Sequence, residues 1–233
     1  MSLPHPPWKQ TEWLSEDTLL LHFDEPLSAD TAGTIAALAD QLRSLNADWL
    51  WDLTAGFGKL LVHYQPHQVS DDLLMHTLHK AAQSLDAGQR PPASQVTIAV
   101  CYDPQVAPDL LDVAQRLQLS VDAVIDLHQS ATYRVLAVGF ALGFAYLGGL
   151  PEQLKLPRKT TPATRVPAGS VAIAETQSTI YPIETPGGWH VIGRTHQPLV
   201  SRGRALELTL PMGTEVRFEA ISYADYQRGI PAR

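Results

Sequence analysis

The second half of the chain is interrupted by glycine and proline so often that no long helix fits into it. From residue 133 onward, short apolar runs alternate with Gly/Pro breaks at intervals of roughly 8–14 residues. These runs include YRVLAVGF, GSVAIAET, STIYPIET, WHVIGRT and TEVRFEAIS. Such spacing is typical of the strands of an all-β sandwich or barrel, so we expect a β-barrel here.

The first half mixes short apolar runs with amphipathic stretches. Ile35, Leu38 and Leu42 recur at helical spacing, and serines stand at plausible helix starts. We predict strands over 17–23, over a hairpin at 49–66 and over 94–103, with helices over 28–45 and 70–85. The order β-α-β-β-α-β is that of a ferredoxin-like unit, so the chain is predicted to be α+β.

The 233 residues are enough for two domains. DAGQRPPASQ (86–95) has the composition of a linker, although the strand after it could belong to either half. We predict a ferredoxin-like domain over 1–90 and a barrel domain over 91–233, with short helices at 107–117 and 120–130.

Composition excludes some classes of function. The net charge is −7, and the nearest approach to a basic cluster, LPRKTTPATR (156–165), is more simply a solvated loop. The sequence therefore argues against nucleic-acid binding. No apolar window is long enough for a membrane helix and no signal peptide is recognisable, so we expect a cytoplasmic protein.

Cysteine and histidine give weak signals for chemistry. Cys101 stands in an apolar run and is better explained as a buried small hydrophobe than as a nucleophile. His76 and His79 share a helix face, and His190 and His196 flank a turn. Neither pair has a further ligand at a suggestive spacing, so we expect no metal site.

Residues 128–199 combine glycine, proline and aromatic residues with isolated polar side chains. The polar candidates are His128, Tyr146, Arg158, Ser170, Gln177 and Arg194. This mixture suits a concave small-molecule site. It is equally consistent with glycines and prolines that merely turn the strands of a small barrel. The sequence contains no Walker A loop, GxSxG elbow or HExxH motif.

Three of these segments resemble a known family. They are GFALGFAYLGGLP (139–151), LPRKTTPATRVPAGSVAIAETQSTIYP (156–182) and TPGGWHVIGRT (185–195), preceded by LHQSATYRV (127–135). Together they are similar to the recurring motifs of the family of B-type 5-oxoprolinase subunits, also called the KipI or allophanate hydrolase subunit 1 family. The resemblance implies an N-terminal ferredoxin-like domain and a C-terminal cyclophilin-like barrel.

The resemblance also implies an activity and partners. It implies a subunit of an ATP-dependent 5-oxoprolinase that opens 5-oxo-L-proline to L-glutamate. A sister cyclophilin-like subunit would join it in phosphorylating the lactam carbonyl, and a third subunit would hydrolyse the product. ATP is then a co-substrate, with Mg²⁺ as its optional companion. The alternative within the family is a KipI-like, non-catalytic inhibitor of a sensor histidine kinase.

Position in the family motifs suggests roles for individual residues. His128 is the candidate acid/base or phosphate partner, and Arg158 and Arg194 are candidates to neutralise phosphate or the substrate carboxylate. A hydrogen-bonded structural histidine and structural ion pairs are the competing interpretations. The predicted substrate-binding residues are Phe144, Tyr146, Ser170, Gln177 and Trp189. We expect their segments to converge around a single hollow.

The chain departs from the family pattern at four positions. Leu142 replaces a proline, Ala163 an arginine, and Glu175 and Thr179 replace glycines. Arg165 is a possible substitute for the missing cation. A positive φ at Thr179 would strain a β-branched residue. A negative charge at Glu175 would weaken anion binding if its side chain faced the site.

Overall fold

The computed structural model describes residues 6–23, 29–86, 94–202 and 206–229. The chain divides into two compact units, Met1–Ala93 and Ser94–Arg233. Within the described ranges, no helix is both long enough and apolar enough to cross a membrane.

The first unit is an antiparallel sheet with two helices. Its elements are β1 (Gln10–Ser15), β2 (Thr18–His22), α1 (Ala29–Ser44), β3 (Leu50–Gly56), β4 (Lys59–Tyr64) and α2 (Asp71–Asp86). The strand order is β1-β2-β4-β3, and every neighbouring pair is antiparallel. The buried side chains of this unit include Leu21, Val62, Ile35 and Leu74. Both predicted helices are present, with the apolar face buried.

The ferredoxin-like prediction for this unit is not confirmed. The strand expected to complete it, β5 (Gln95–Cys101), belongs instead to the second unit. Strand β1 takes the edge beside β2, because a hairpin across the Ser15–Thr18 turn closes a very short loop. Side chains of β1 are mostly exposed, so its sequence carries little strand periodicity. The apolar run of β5 suits a strand buried on both faces.

The second unit begins with β5 and two short helices and continues as a run of strands. Its further elements are α3 (Leu110–Leu117), α4 (Val121–Ser130), β6 (Tyr133–Val138), β7 (Ala145–Gly148), β8 (Ala163–Val166), β9 (Ser170–Ala174), β10 (Gln177–Ile180), β11 (Thr185–Gly187), β12 (His190–Arg194), β13 (Val200–Arg202), β14 (Leu206–Leu208), β15 (Glu215–Ile221) and α5 (Tyr223–Gln227). A 3-10 turn, Glu152–Leu154, follows β7.

Seven of these strands close into a barrel. The order is β6-β15-β5-β12-β9-β10-β7, and β7 pairs back onto β6. Strands β15 and β5 run parallel, whereas the other neighbouring strands around the ring are antiparallel. The closed barrel and the mixed α and β character are confirmed. Likeness to cyclophilin barrels in particular stays a prediction.

Alternation along the strands gives the barrel wall two different faces. The interior holds one hydrophobic cluster to which every barrel strand contributes. Its members include Ile98, Tyr133, Leu147, Ile173, Ile180, Ile192 and Phe218. The neighbouring residues of β7, β9 and β12 point outward, where strand β8 and the smaller sheet that it forms with β11 pack nearby. Chemistry on the outer face is thus separated from the core by a single layer of backbone.

Candidate functional site

Four rings pack together on the outer face of the barrel. We call Phe144, Tyr146, Tyr181 and Trp189 the outer aromatic cluster. The ring centroid of Phe144 lies 5.0 Å from that of Tyr146, 5.3 Å from that of Tyr181 and 6.2 Å from that of Trp189. These are edge-to-face contacts, the geometry that aromatic quadrupoles favour. The rings rest on the small side chains of Ala172 and Ala174, which leave room for them.

The outer aromatic cluster joins the three motif-bearing segments. Phe144 and Tyr146 come from 139–151, Tyr181 from 156–182 and Trp189 from 185–195. The ring contacts therefore show the expected convergence of these segments in space. The rim of the cluster is exposed, since Phe140 packs edge-to-face on Phe144 with its centroid 5.2 Å away and is itself 68% exposed.

Arg158 contributes a cation to this face. Its guanidinium carbon lies 5.8 Å from the centroid of the Trp189 ring, which is within cation–π range. Arg158 is exposed, and no carboxylate of the described residues lies within ion-pair distance of it. By contrast, the neighbouring cations Lys155, Lys159 and Arg165 are each paired with a carboxylate. Arg158 is thus available to an anionic group.

Main-chain contacts hold Arg158 opposite Trp189. His190 donates from Nε2 to the carbonyl oxygen of Pro157 at 2.9 Å. The backbone N–H of Lys159 donates to the carbonyl oxygen of Gly188 at 2.7 Å. The two segments therefore run side by side in opposite directions, with Arg158 and Trp189 facing each other between the two bonds.

Asp109 connects helix α3 to the same segments. Its backbone N–H donates to the Val191 carbonyl oxygen at 3.0 Å, and its Oδ2 accepts the Val191 N–H at 2.7 Å. The same Oδ2 pairs with the ammonium group of Lys159. Sequence reasoning missed Asp109, although its position directly before an apolar helical stretch was visible in APDLLDV.

Tyr181 supplies a hydroxyl beneath the rings. A Cβ on Gly187 would lie 2.3 Å from that hydroxyl oxygen, so glycine is required there by close approach. Burial raises the pKa of Tyr181, while a hydrogen bond with the Trp189 backbone and the charge of Arg158 act in the opposite direction. The phenol is therefore neutral at physiological pH and serves as a fixed dipole beside the guanidinium.

Comparison with known proteins identifies the family. The family model for the carboxyltransferase domain, subdomain C and D, matches residues 9–210. The chain belongs to this family. The B-type 5-oxoprolinase subunit of Bacillus subtilis (strain 168) is 33% identical over 231 residues, covering 93% of this chain and 95% of that protein. Its counterpart of the same name in Haemophilus influenzae is 45% identical over 123 residues, covering 53% of this chain and 58% of that protein. The resemblance deduced from the sequence motifs is confirmed.

Solved structures agree with the carboxyltransferase C and D assignment. The crystal structure of TTHA0988 matches with a TM-score of 0.76 and 36% identity, over 88% of this chain and 40% of that chain. This chain therefore spans less than half of TTHA0988. The Kluyveromyces lactis urea amidolyase matches over 94% of this chain and 15% of that chain, with a TM-score of 0.68 and 15% identity, a likeness of fold alone.

His128 lies inside the barrel of this carboxyltransferase-family chain, away from the outer aromatic cluster. It is wholly buried on α4, with Nδ1 2.7 Å from the Tyr102 hydroxyl and Nε2 3.1 Å from Ser178 Oγ. Its ring stacks on Phe218 at a centroid distance of 4.4 Å. Burial lowers the pKa of His128 to about 3, so the ring is neutral at physiological pH. Direct contact with a substrate, as predicted, is not part of this geometry.

Arg194 and Ser170 lie at the other end of β9 and β12 from Trp189. They are register partners, whereas His190 pairs with Ile173 further along. Arg194 donates from Nε to the carbonyl oxygen of Ala168 at 3.1 Å. Ser170 is buried. The structure thus separates these two residues from Arg158, and their predicted roles stay untested predictions.

Gln177 lies closer to the cluster. It opens β10, opposite Ala174 on one side and Gly148 on the other, and is half-buried. Ala174 packs against the rings. A contact between Gln177 and a ligand at the rings stays a prediction.

The departures from the family motifs have distinct structural settings. Glu175 is exposed in the turn between β9 and β10 with φ of +52°, a backbone conformation that favours glycine. Thr179 lies in β10 and its Oγ1 donates to the Ala145 carbonyl at 2.8 Å, so the strain that a positive φ would bring does not arise. Ala163 packs beside the outer aromatic cluster, whereas the Arg165 guanidinium pairs with Glu184. Leu142 is exposed.

The remaining histidines and the cysteine have other surroundings. The His79 ring is hydrogen-bonded to the Met75 carbonyl and contacts Trp8, while His196 stacks on Tyr226. Among the described residues, no three His, Cys, Asp or Glu side chains converge as metal ligands. Burial raises the pKa of Cys101, which disfavours the thiolate.

Proposed function

We propose that this chain is a subunit of an ATP-dependent 5-oxoprolinase complex, which converts 5-oxo-L-proline to L-glutamate. The observation that carries the proposal is the similarity to the B-type 5-oxoprolinase subunit of Bacillus subtilis along nearly the whole length of both chains. The curated relatives found are named as subunits of that enzyme, so the kinase-inhibitor alternative is not favoured.

We assign binding of the substrate to the outer aromatic cluster and Arg158. 5-Oxoproline is a small flat lactam that carries one carboxylate. Rings packed edge-to-face offer an apolar wall for the lactam, and the unpaired guanidinium of Arg158 is suited to the carboxylate. In this assignment Tyr146 and Trp189 contact the ring, and the Tyr181 hydroxyl stays beneath it.

The chemistry explains why such a subunit works with ATP. A lactam carbonyl is a poor electrophile, and transfer of the γ-phosphoryl group to its oxygen, with loss of ADP, activates the carbon. Water then adds, the ring C–N bond opens to leave an acyl phosphate, and a second water releases phosphate. Phosphoryl transfer depends chiefly on positioning and charge stabilisation. The proposed contribution of this chain is to bind and orient the lactam.

Groups that handle ATP are assigned to partner subunits. The described residues include no cluster of carboxylates suited to Mg²⁺, so we derive no step through a metal in this chain. The matched family model covers subdomains C and D only, and TTHA0988 is a longer chain. Both findings support a partner that carries the rest of a carboxyltransferase-type assembly. We propose a sister barrel subunit and a third, hydrolytic subunit.

The test is reconstitution of the complex from co-expressed subunits. We expect ATP hydrolysis that depends on 5-oxoproline and yields glutamate. Arg158→Met should lower kcat/KM for 5-oxoproline at least about tenfold, since a charge-assisted bond to the carboxylate is lost. Arg165→Met is the matched control, because that guanidinium is already paired with Glu184. ATP turnover that ignores 5-oxoproline would overturn the function, and an unaffected Arg158→Met would overturn the assigned site.

A further inference from the structure

The segment that carries Arg158 is fixed to the segment that carries Trp189 on both sides of the cation. The Pro157 carbonyl is bound by His190, and the Lys159 N–H is bound to Gly188. These bonds alone set the two backbones side by side. A third connection runs through a side chain from a different element, Asp109 at the start of α3.

Asp109 makes three contacts that meet at this place. Its N–H and its carboxylate hold both polar groups of the Val191 backbone, next to His190 in the chain. The same carboxylate oxygen pairs with Lys159, next to Arg158. The side chains of Lys159 and Asp109 are only 22% and 19% exposed, so solvent screens this ion pair less than a pair on the open surface.

The Asp109–Lys159 pair also determines which cation is free. Because the ammonium of Lys159 is neutralised by Asp109, Arg158 is the neighbouring positive charge without a carboxylate partner among the described residues. A ligand carboxylate is thereby directed to a planar guanidinium that can bind two oxygens at once, rather than to a flexible ammonium group.

We infer that Asp109 is a positioning residue for substrate recognition, which acts through Lys159 to fix the Arg158 guanidinium over Trp189. This inference rests on the proposed function, in which Arg158 binds the substrate carboxylate. Asp109 touches neither the ligand nor the reacting atoms in this scheme. Its effect is to make the site selective for an acid over its neutral analogue.

The measurement is the ratio of kcat/KM for 5-oxoproline to kcat/KM for its carboxamide, in the reconstituted complex. General loss of stability would weaken the acid and the amide alike and leave this ratio unchanged. Loss of a well-placed guanidinium weakens only the acid. The double variant Asp109→Asn/Lys159→Met has the same net charge as the wild type and lacks the ion pair, so it isolates position from charge.

We expect the double variant to lower the acid-to-amide ratio about fivefold, and Arg158→Met to lower it about tenfold or more. Lys159→Met alone keeps the bonds between Asp109 and Val191 and should also lower the ratio, since the carboxylate of Asp109 then stands unpaired near the ligand. Arg165→Met should leave it unchanged.

The outcomes separate the two ideas. If Arg158→Met lowers the ratio while the double variant and Lys159→Met both leave it within about twofold of the wild type, the role of Asp109 is overturned and the proposed site stands. If Arg158→Met leaves the ratio unchanged, the proposed carboxylate site is wrong and the inference falls with it. Should the double variant fail to assemble, the result for Lys159→Met decides.

Discussion

The two sides of the barrel wall use polar groups in opposite ways. Inside, the Tyr102 hydroxyl donates to His128 Nδ1, His128 Nε2 donates to Ser178 Oγ, and that hydroxyl donates to the Ala172 carbonyl. Each of these interior side chains therefore has its partner within the protein. Outside, across one layer of backbone, Arg158 faces Trp189 without a carboxylate partner among the described residues. Saturated polar groups stabilise a fold, and an unsaturated cation on a ring cluster is suited to binding.

Backbone strain follows the same division. Phe140 has a φ of +74° and an exposed ring at the rim of the outer aromatic cluster. A bulky residue in the left-handed region costs roughly 1–2 kcal/mol, and such strain is concentrated at functional sites in proteins. The interior residues that surround His128 show no positive φ among those described. The comparison therefore predicts that changes inside alter stability, whereas changes outside alter recognition.

The largest expected effect is that of His128→Ala. The substitution opens a cavity beside Phe218 and leaves the hydroxyls of Tyr102 and Ser178 without their partner. We expect the free energy of unfolding to fall by about 3–5 kcal/mol. Denaturant unfolding of the isolated chain measures it. Arg158→Met is the comparison from the outer face and should change stability by less than about 0.5 kcal/mol. Equal effects on the two sides would contradict the division between them.

The next effect is a pH dependence that His128 confers on the interior. Its pKa falls from 6.5 in the unfolded chain to about 3 in the fold. Between these values the unfolded state binds the extra proton, so stability decreases as pH falls from 6.5 towards 3 and is independent of this group above 6.5. The loss is about 1.4 kcal/mol per pH unit, or about 2–3 kcal/mol by about pH 4.5.

The control for this pH dependence is His128→Asn, which cannot titrate. Unfolding curves are compared at pH values of about 7.5, 6.5, 5.5 and 4.5, and the difference in slope between the two proteins isolates the histidine from other titrating groups. A variant with the same slope as the wild type would show that His128 is protonated in the folded barrel, against its burial among Tyr102, Tyr133 and Phe218.

The fold was readable from the sequence wherever apolar periodicity was strong. The punctuated runs after residue 133 became barrel strands, and the periodic leucines of α1 and α2 became buried helix faces. The first unit was wrong in topology because strand pairing is a non-local choice. Nothing in VTIAVC reveals that β5 pairs with β15, more than a hundred residues later in the chain.

The site was only partly readable for a related reason. Phe144, Tyr146 and Trp189 stand in motifs whose glycines mark close approach, and the structure brings them together. Whether a polar residue faces the interior or the outer surface depends on strand register. His128 and Arg158 therefore looked alike in the sequence and lie on different sides. Asp109 was missed because its partners are 50 and 82 residues away.

The smallest expected effect sharpens the comparison at the turn between β9 and β10. Glu175 has a φ of +52°, and its N–H donates to the Leu156 carbonyl at 2.6 Å, so the turn keeps this backbone shape despite the Cβ. Glu175→Gly should raise the free energy of unfolding by about 1 kcal/mol, because glycine adopts this region without steric cost. Glu175→Ala removes the same charge and keeps the Cβ, and we expect little change from it. If alanine stabilises as much as glycine, the cost at this turn comes from the carboxylate rather than from the backbone, and the strain on the outer side of the wall would be confined to Phe140.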